Sequence, residues 1–87
     1  METKYIDSLV KKFCVLSGKD RKIKTDEEWQ KQDEAWLAYE KEYKQWAGNA
    51  SQEERDYFKR FIDPEWIGMT CNGIRYDREQ EEQNGKR

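Results

Sequence analysis

The stretch Glu27–Gly48, EEWQKQDEAWLAYEKEYKQWAG, holds three of the four tryptophans and two of the five tyrosines in an 87-residue chain. Trp29, Trp36, Tyr39, Tyr43 and Trp46 are spaced 7, 3, 4 and 3. On a helix that spacing gathers all five rings into an arc of about 100°, an a/d seam with Gln32 at the remaining d position. Leu37 falls roughly 80° to one side. Thr25 and Glu28 form a T-x-x-E capping box, and Asp26 and Glu27 suit the positive end of a helix dipole. The pattern predicts a helix over 26–47, ended by Gly48 or Asn49. We expect Trp36, Tyr39 and Tyr43 to be buried, and Trp29 and Trp46, at the two ends, to be open to a partner.

A second amphipathic helix precedes it. Tyr5, Ile6, Leu9, Val10, Phe13 and Leu16 fall in one arc of about 140° at 100° per residue, predicting a helix over 4–16. Gly18 is its expected C-cap. A third helix is predicted over 52–63, where Ser51 and Glu54 repeat the capping-box signal and Tyr57, Phe58, Phe61 and Ile62 share a face. Asp63-Pro64 ends it, because the residue before proline avoids the helical region. Asp63 also suits the cap of a short extra turn, with Pro64 at its first position and Trp66 and Ile67 upon it.

From Met69 to Tyr76, MTCNGIRY changes character. Asn72-Gly73 is a strong two-residue hairpin signal, so we expect a small hairpin or loop at 69–76. Residues 77–87, DREQEEQNGKR, contain no apolar side chain and read as a polar, mobile tail. The expected fold is mainly α: a small three-helix domain over 1–76 with a short C-terminal hairpin or loop.

Composition narrows the chemistry. One domain is all that 87 residues allow. Charged residues make up 41% of the chain, yet the net charge is only -2. Leu, Ile, Val and Phe are scarce, but twelve aromatic residues supply the missing burial. No run of apolar residues is long enough for a membrane span, and METKYIDSLVKKF lacks the pattern of a signal peptide. A cytoplasmic setting with Cys14 and Cys71 reduced is therefore expected.

Histidine is absent. That removes the usual general base at neutral pH, the commonest metal ligand, and Ser-His or Cys-His nucleophile pairs. Two cysteines 57 positions apart give no zinc cluster, and SGKDRK lacks the upstream glycine and Ser/Thr of a phosphate loop. Neither enzymatic activity, metal nor cofactor is expected.

The charge is polarised along the chain. Residues 1–24 carry seven basic side chains against three acidic, and residues 25–48 carry seven acidic against three basic. Lys11, Lys12, Lys19, Arg21, Lys22 and Lys24 cluster in sequence and suit phosphate contacts. Trp and Tyr, by contrast, are the residues most enriched at protein–protein hot spots.

The reading expected from these residues is a small, non-catalytic protein–protein interaction protein, with Trp29, Trp46, Trp66, Glu40 and Glu42 as partner contacts. Its profile is that of small stand-alone interaction proteins, including viral and mobile-element inhibitors that bind and block a larger host protein or complex. Two alternatives stand beside it: a nucleic-acid-binding regulator using residues 11–24, and a homodimer joined through the aromatic seam.

Overall fold

Thr25 turns the chain out of an extended approach and into the longest of the described helices: its hydroxyl accepts the Glu28 N–H at 3.2 Å. The computed structural model describes residues 2–84, and among them are four helices and no strand. They are α1 (Lys4–Asp20), α2 (Asp26–Asn49), α3 (Gln52–Lys59) and α4 (Pro64–Asn84). The mainly α class expected from the sequence is what the chain adopts.

The aromatic helix has nearly the predicted bounds. α1 runs past Gly18 to Asp20, so the glycine lies inside the helix and is not its cap. α3 is shorter than predicted, but its capping box is complete: Ser51 Oγ accepts the Glu54 N–H, and the Glu54 carboxylate accepts the Ser51 N–H at 3.0 Å.

The C-terminal third departs from expectation. No hairpin or loop forms at 69–76, which lies wholly inside α4. Asp63 caps α4, its carboxylate accepting the Glu65 N–H at 2.9 Å, and Pro64 fills the first position, where its missing N–H costs nothing. The helix then continues for 21 residues rather than one turn. Ile67, Cys71 and Ile74, spaced by 4 and 3, put three buried side chains on one helical face. A hairpin would split that set between two short arms. The polar stretch from Asp77 to Asn84 carries the same helix on, and residues 85–87 lie outside the described residues.

α2 organises the packing. It runs antiparallel to α1, where the Tyr39 hydroxyl donates to the Leu9 carbonyl at 2.8 Å and Gln32 donates to the Leu16 carbonyl at 2.8 Å. It also packs on α4, where the Cys71 thiol meets the Trp36 carbonyl at 3.4 Å. α3 closes one end, Phe58 stacking on Tyr43 with ring centroids 5.1 Å apart. The core is Ile6, Leu9, Trp36, Tyr39, Phe58, Ile62, Ile67, Cys71 and Ile74. Phe13 and Tyr39 both meet the Trp36 ring, the former edge-on at 5.3 Å. Such pairs add about 0.5–1.5 kcal/mol each beyond the area they bury.

The helices make a flat, elongated body of 53 × 25 × 15 Å. Its radius of gyration is 14.9 Å, against roughly 12 Å for a compact chain of this length. A body so drawn out leaves apolar side chains uncovered, and a wide groove lies between α2 and α4.

Candidate functional site: the groove between α2 and α4

Near the start of α2 and the end of α4 the two helices face each other across a groove of about 1080 Å³. Its apolar lining comes from Trp29 and Trp36 on α2 and from Met69 and Ile74 on α4. Trp36 and Ile74 are buried at its base, while Trp29 and Met69 are 41% and 64% exposed. The walls are acidic. Asp20, Asp26, Asp33 and Glu34 stand on one side and Asp77, Glu81 and Glu82 on the other, with Arg78 the one cation in the lining among the described residues.

Local sequence explains the placement. On α2, Trp29, Asp33 and Trp36 recur at intervals of 4 and 3 and so share a face. On α4, Met69, Gly73, Asp77 and Glu81 recur at intervals of 4. Asp20 arrives because α1 runs a turn longer than its apolar stripe. Its Oδ1 accepts from the Gln32 amide at 2.7 Å and from the Trp36 indole at 3.2 Å, tying the end of α1 to α2.

Of these carboxylates, Asp33 is the most affected by its surroundings. The Asp33 carboxyl is held above the usual aspartate range, first by burial; Asp77, Asp20 and Glu81 push the same way, and Arg78 pulls against them. This repulsion falls when a positive group enters. Among the described residues, no group of three or more carboxylate or thiol side chains is placed to hold a metal ion. The carboxylates are spread along the groove rather than focused on a point.

The residues singled out in the sequence scatter. Trp29 is in the groove. Trp66 is half exposed on α4 but outside it. Trp46 corrects the expectation of a free end: it is half-buried and packs on Phe58 at 5.6 Å, because α3 folds back over that end of α2. Glu40 is a second correction. It is 4% exposed, faces α4, and is bound by Arg75 and, at 3.9 Å, by Lys44. Glu42 stays half-exposed and binds Lys12 and the Tyr5 hydroxyl, both at 3.0 Å. The Lys12 contact, ahead of the Tyr5 hydroxyl, holds its carboxyl below the usual glutamate range.

The basic cluster also divides. Lys12 is committed to Glu42. Lys11 lies with Val15, Leu16, Ala35 and Ala38 along a smaller apolar groove of about 460 Å³ between α1 and α2. Lys19, Arg21, Lys22 and Lys24 are exposed at the corner joining α1 to α2. Of the aromatic seam, Trp36 and Tyr39 are 3% exposed and consumed within the chain, leaving Trp29 as its open end.

Sequence reasoning missed Met69, Asp77, Arg78 and Glu81. The signal was present: residues 67–82 carry helical spacing in both apolar and charged positions. No protein-family model, no curated protein and no solved structure matches the chain.

Proposed function

We propose that this chain is a non-catalytic protein-binding protein that receives a segment of a larger partner in the α2–α4 groove and acts by occupying the surface that segment belongs to. The observation that carries the reading is the exposed Trp29 in a groove of about 1080 Å³. Tryptophan is among the residues most enriched at protein–protein hot spots, and Trp29 is open to a partner that would bury it. Polar walls around such an anchor exclude water and set specificity. The Lys19–Lys24 corner adjoins these acidic walls through Asp20, which counts against a long polyanion lying across this end.

The test is affinity capture from an extract of the source cells with the native chain, a Trp29→Ala chain and a Lys22→Ser chain. The expected result is a larger protein recovered by the native and Lys22→Ser chains and lost with Trp29→Ala. Equal recovery by all three chains, or recovery of nucleic acid alone, overturns the reading.

A further inference from the structure

The groove has a chemistry that narrows its occupant. Among the described residues its walls present seven carboxylates against a single guanidinium. Of these, Asp77, Asp20 and Glu81 lie near enough to Asp33 to disfavour its charge, against the pull of Arg78. An anionic or purely apolar segment would leave this repulsion in place, and an apolar one would also strip water from the carboxylates without replacing it. A cationic segment reverses both effects. Trp29 then discriminates between cations, because its indole is 41% exposed and shares the groove and one side of α2 with Asp33. A planar guanidinium stacks on an indole while its edge N–H groups pair with a carboxylate in a fork. An ammonium is a compact, strongly hydrated charge that does neither as well.

Resting on the reading of the chain as a protein-binding protein, we infer that the α2–α4 groove recognises a short arginine-bearing segment of a partner protein, an arginine stacking on Trp29 and pairing with Asp33 and Glu81. Met69 and Ile74 take the apolar side chains that flank the arginine. Selectivity comes from the stack, and the rate of encounter from the acidic walls.

The experiment is calorimetric titration of the full chain with an amphipathic helical peptide bearing arginine and leucine, and with its lysine-for-arginine counterpart. The chains compared are the native one, Trp29→Ala, Asp33→Asn and, as a charge-matched control on α3, Asp56→Asn. Asp56 is exposed and lies outside the groove. We expect the arginine peptide to bind, Trp29→Ala and Asp33→Asn each to weaken it about tenfold, and Asp56→Asn to leave it within twofold. The lysine peptide should bind at least fivefold more weakly to the native chain, with the difference gone in Trp29→Ala. Circular dichroism checks that each variant is folded, and Trp29→Phe, which keeps an aromatic face, should restore most of the affinity. Equal weakening by Asp33→Asn and Asp56→Asn, equal affinity for the two peptides, or no binding overturns the inference. These outcomes are separable from failure of the wider reading: a partner captured through Trp29 while the arginine peptide does not bind leaves the protein-binding function standing and removes only its arginine chemistry.

Discussion

The Tyr39 hydroxyl, at the centre of α2, donates a buried hydrogen bond of 2.8 Å to the backbone carbonyl of Leu9 at the centre of α1. The ring itself is 3% exposed and meets both Phe13 and Trp36. One residue thus supplies apolar burial and the polar link that fixes how α1 sits on α2. Tyr39→Phe keeps the ring and removes the link, so the expected loss is about 1 kcal/mol. Tyr39→Ala also opens a cavity, with an expected loss of about 3–5 kcal/mol. Urea unfolding followed by tryptophan fluorescence checks both. Equal losses would mean that the hydroxyl, not the ring, carries the contact.

Glu40 and Arg75 make the corresponding link between α2 and α4. The carboxylate is nearly inaccessible, while the Arg75 side chain is 49% exposed. Removing the arginine strands a desolvated charge, with Lys44 at 3.9 Å its remaining partner. Arg75→Ala should therefore cost about 1–3 kcal/mol. Replacing both residues by leucine should recover most of that loss, since an apolar pair needs no solvation. A double-mutant cycle in urea gives the coupling directly. Among the described residues no buried side-chain nitrogen or oxygen lacks a hydrogen-bond partner, so this deletion creates a defect the native fold does not contain.

Stability should fall on the alkaline side. The Cys71 thiol is pushed up from 9.0 to about 11, by burial first and by the Glu40 charge second. Burial also raises Tyr39 and Tyr43, and on Tyr39 the Glu42 charge acts in the same direction. These groups are held protonated by the fold and lose protons more readily once unfolded. The Cys71 contribution is complete below about pH 9 and is lost as pH rises through about 11, while those of Tyr39 and Tyr43 are complete below about pH 10 and are lost only above it. The urea midpoint should decline across that window, and Cys71→Ala should flatten the decline while lowering the whole curve. Alkylation gives a second measure. At neutral pH the exposed Cys14 should react and the buried Cys71 should react only after denaturation.

The aromatic helix was legible because period alone decides it: five rings at 7, 3, 4 and 3 admit one regular structure, and Thr25 marks its start. Burial of Trp36 and Tyr39 followed from the same arc. Glu40 was not legible, since a carboxylate among lysines reads as solvated until Arg75, 35 positions away, is brought beside it. The groove was half legible. Trp29 was named from its place at the end of the seam, but its opposite wall lies in a stretch whose local signals point elsewhere. Asn72-Gly73 is a turn signal in isolation. Two glycines inside α4 disfavour the helix by about 1 kcal/mol each, whereas burying Ile67 and Ile74 is worth about 1.5–3 kcal/mol each. The larger quantity depends on α2 being there to pack against, which no local window contains.

Gly73 gives that contest a direct test. In a two-residue hairpin turn the glycine takes a positive φ, which an alanine adopts only with strain. In α4 the backbone at Gly73 has no positive φ, and a Cβ built there meets nothing within 4 Å. The same holds at Gly68, one helical turn and a residue earlier. Gly68→Ala and Gly73→Ala should each stabilise the chain by about 0.5–1 kcal/mol, mostly by restricting the unfolded state. Because both sites are spacious, the two gains should add. Gly73 also lines the groove, so its alanine variant adds one methyl group to the lining without touching a charge. Urea midpoints that rise for both variants fit the continuous helix, and a midpoint that falls for Gly73→Ala alone fits the turn.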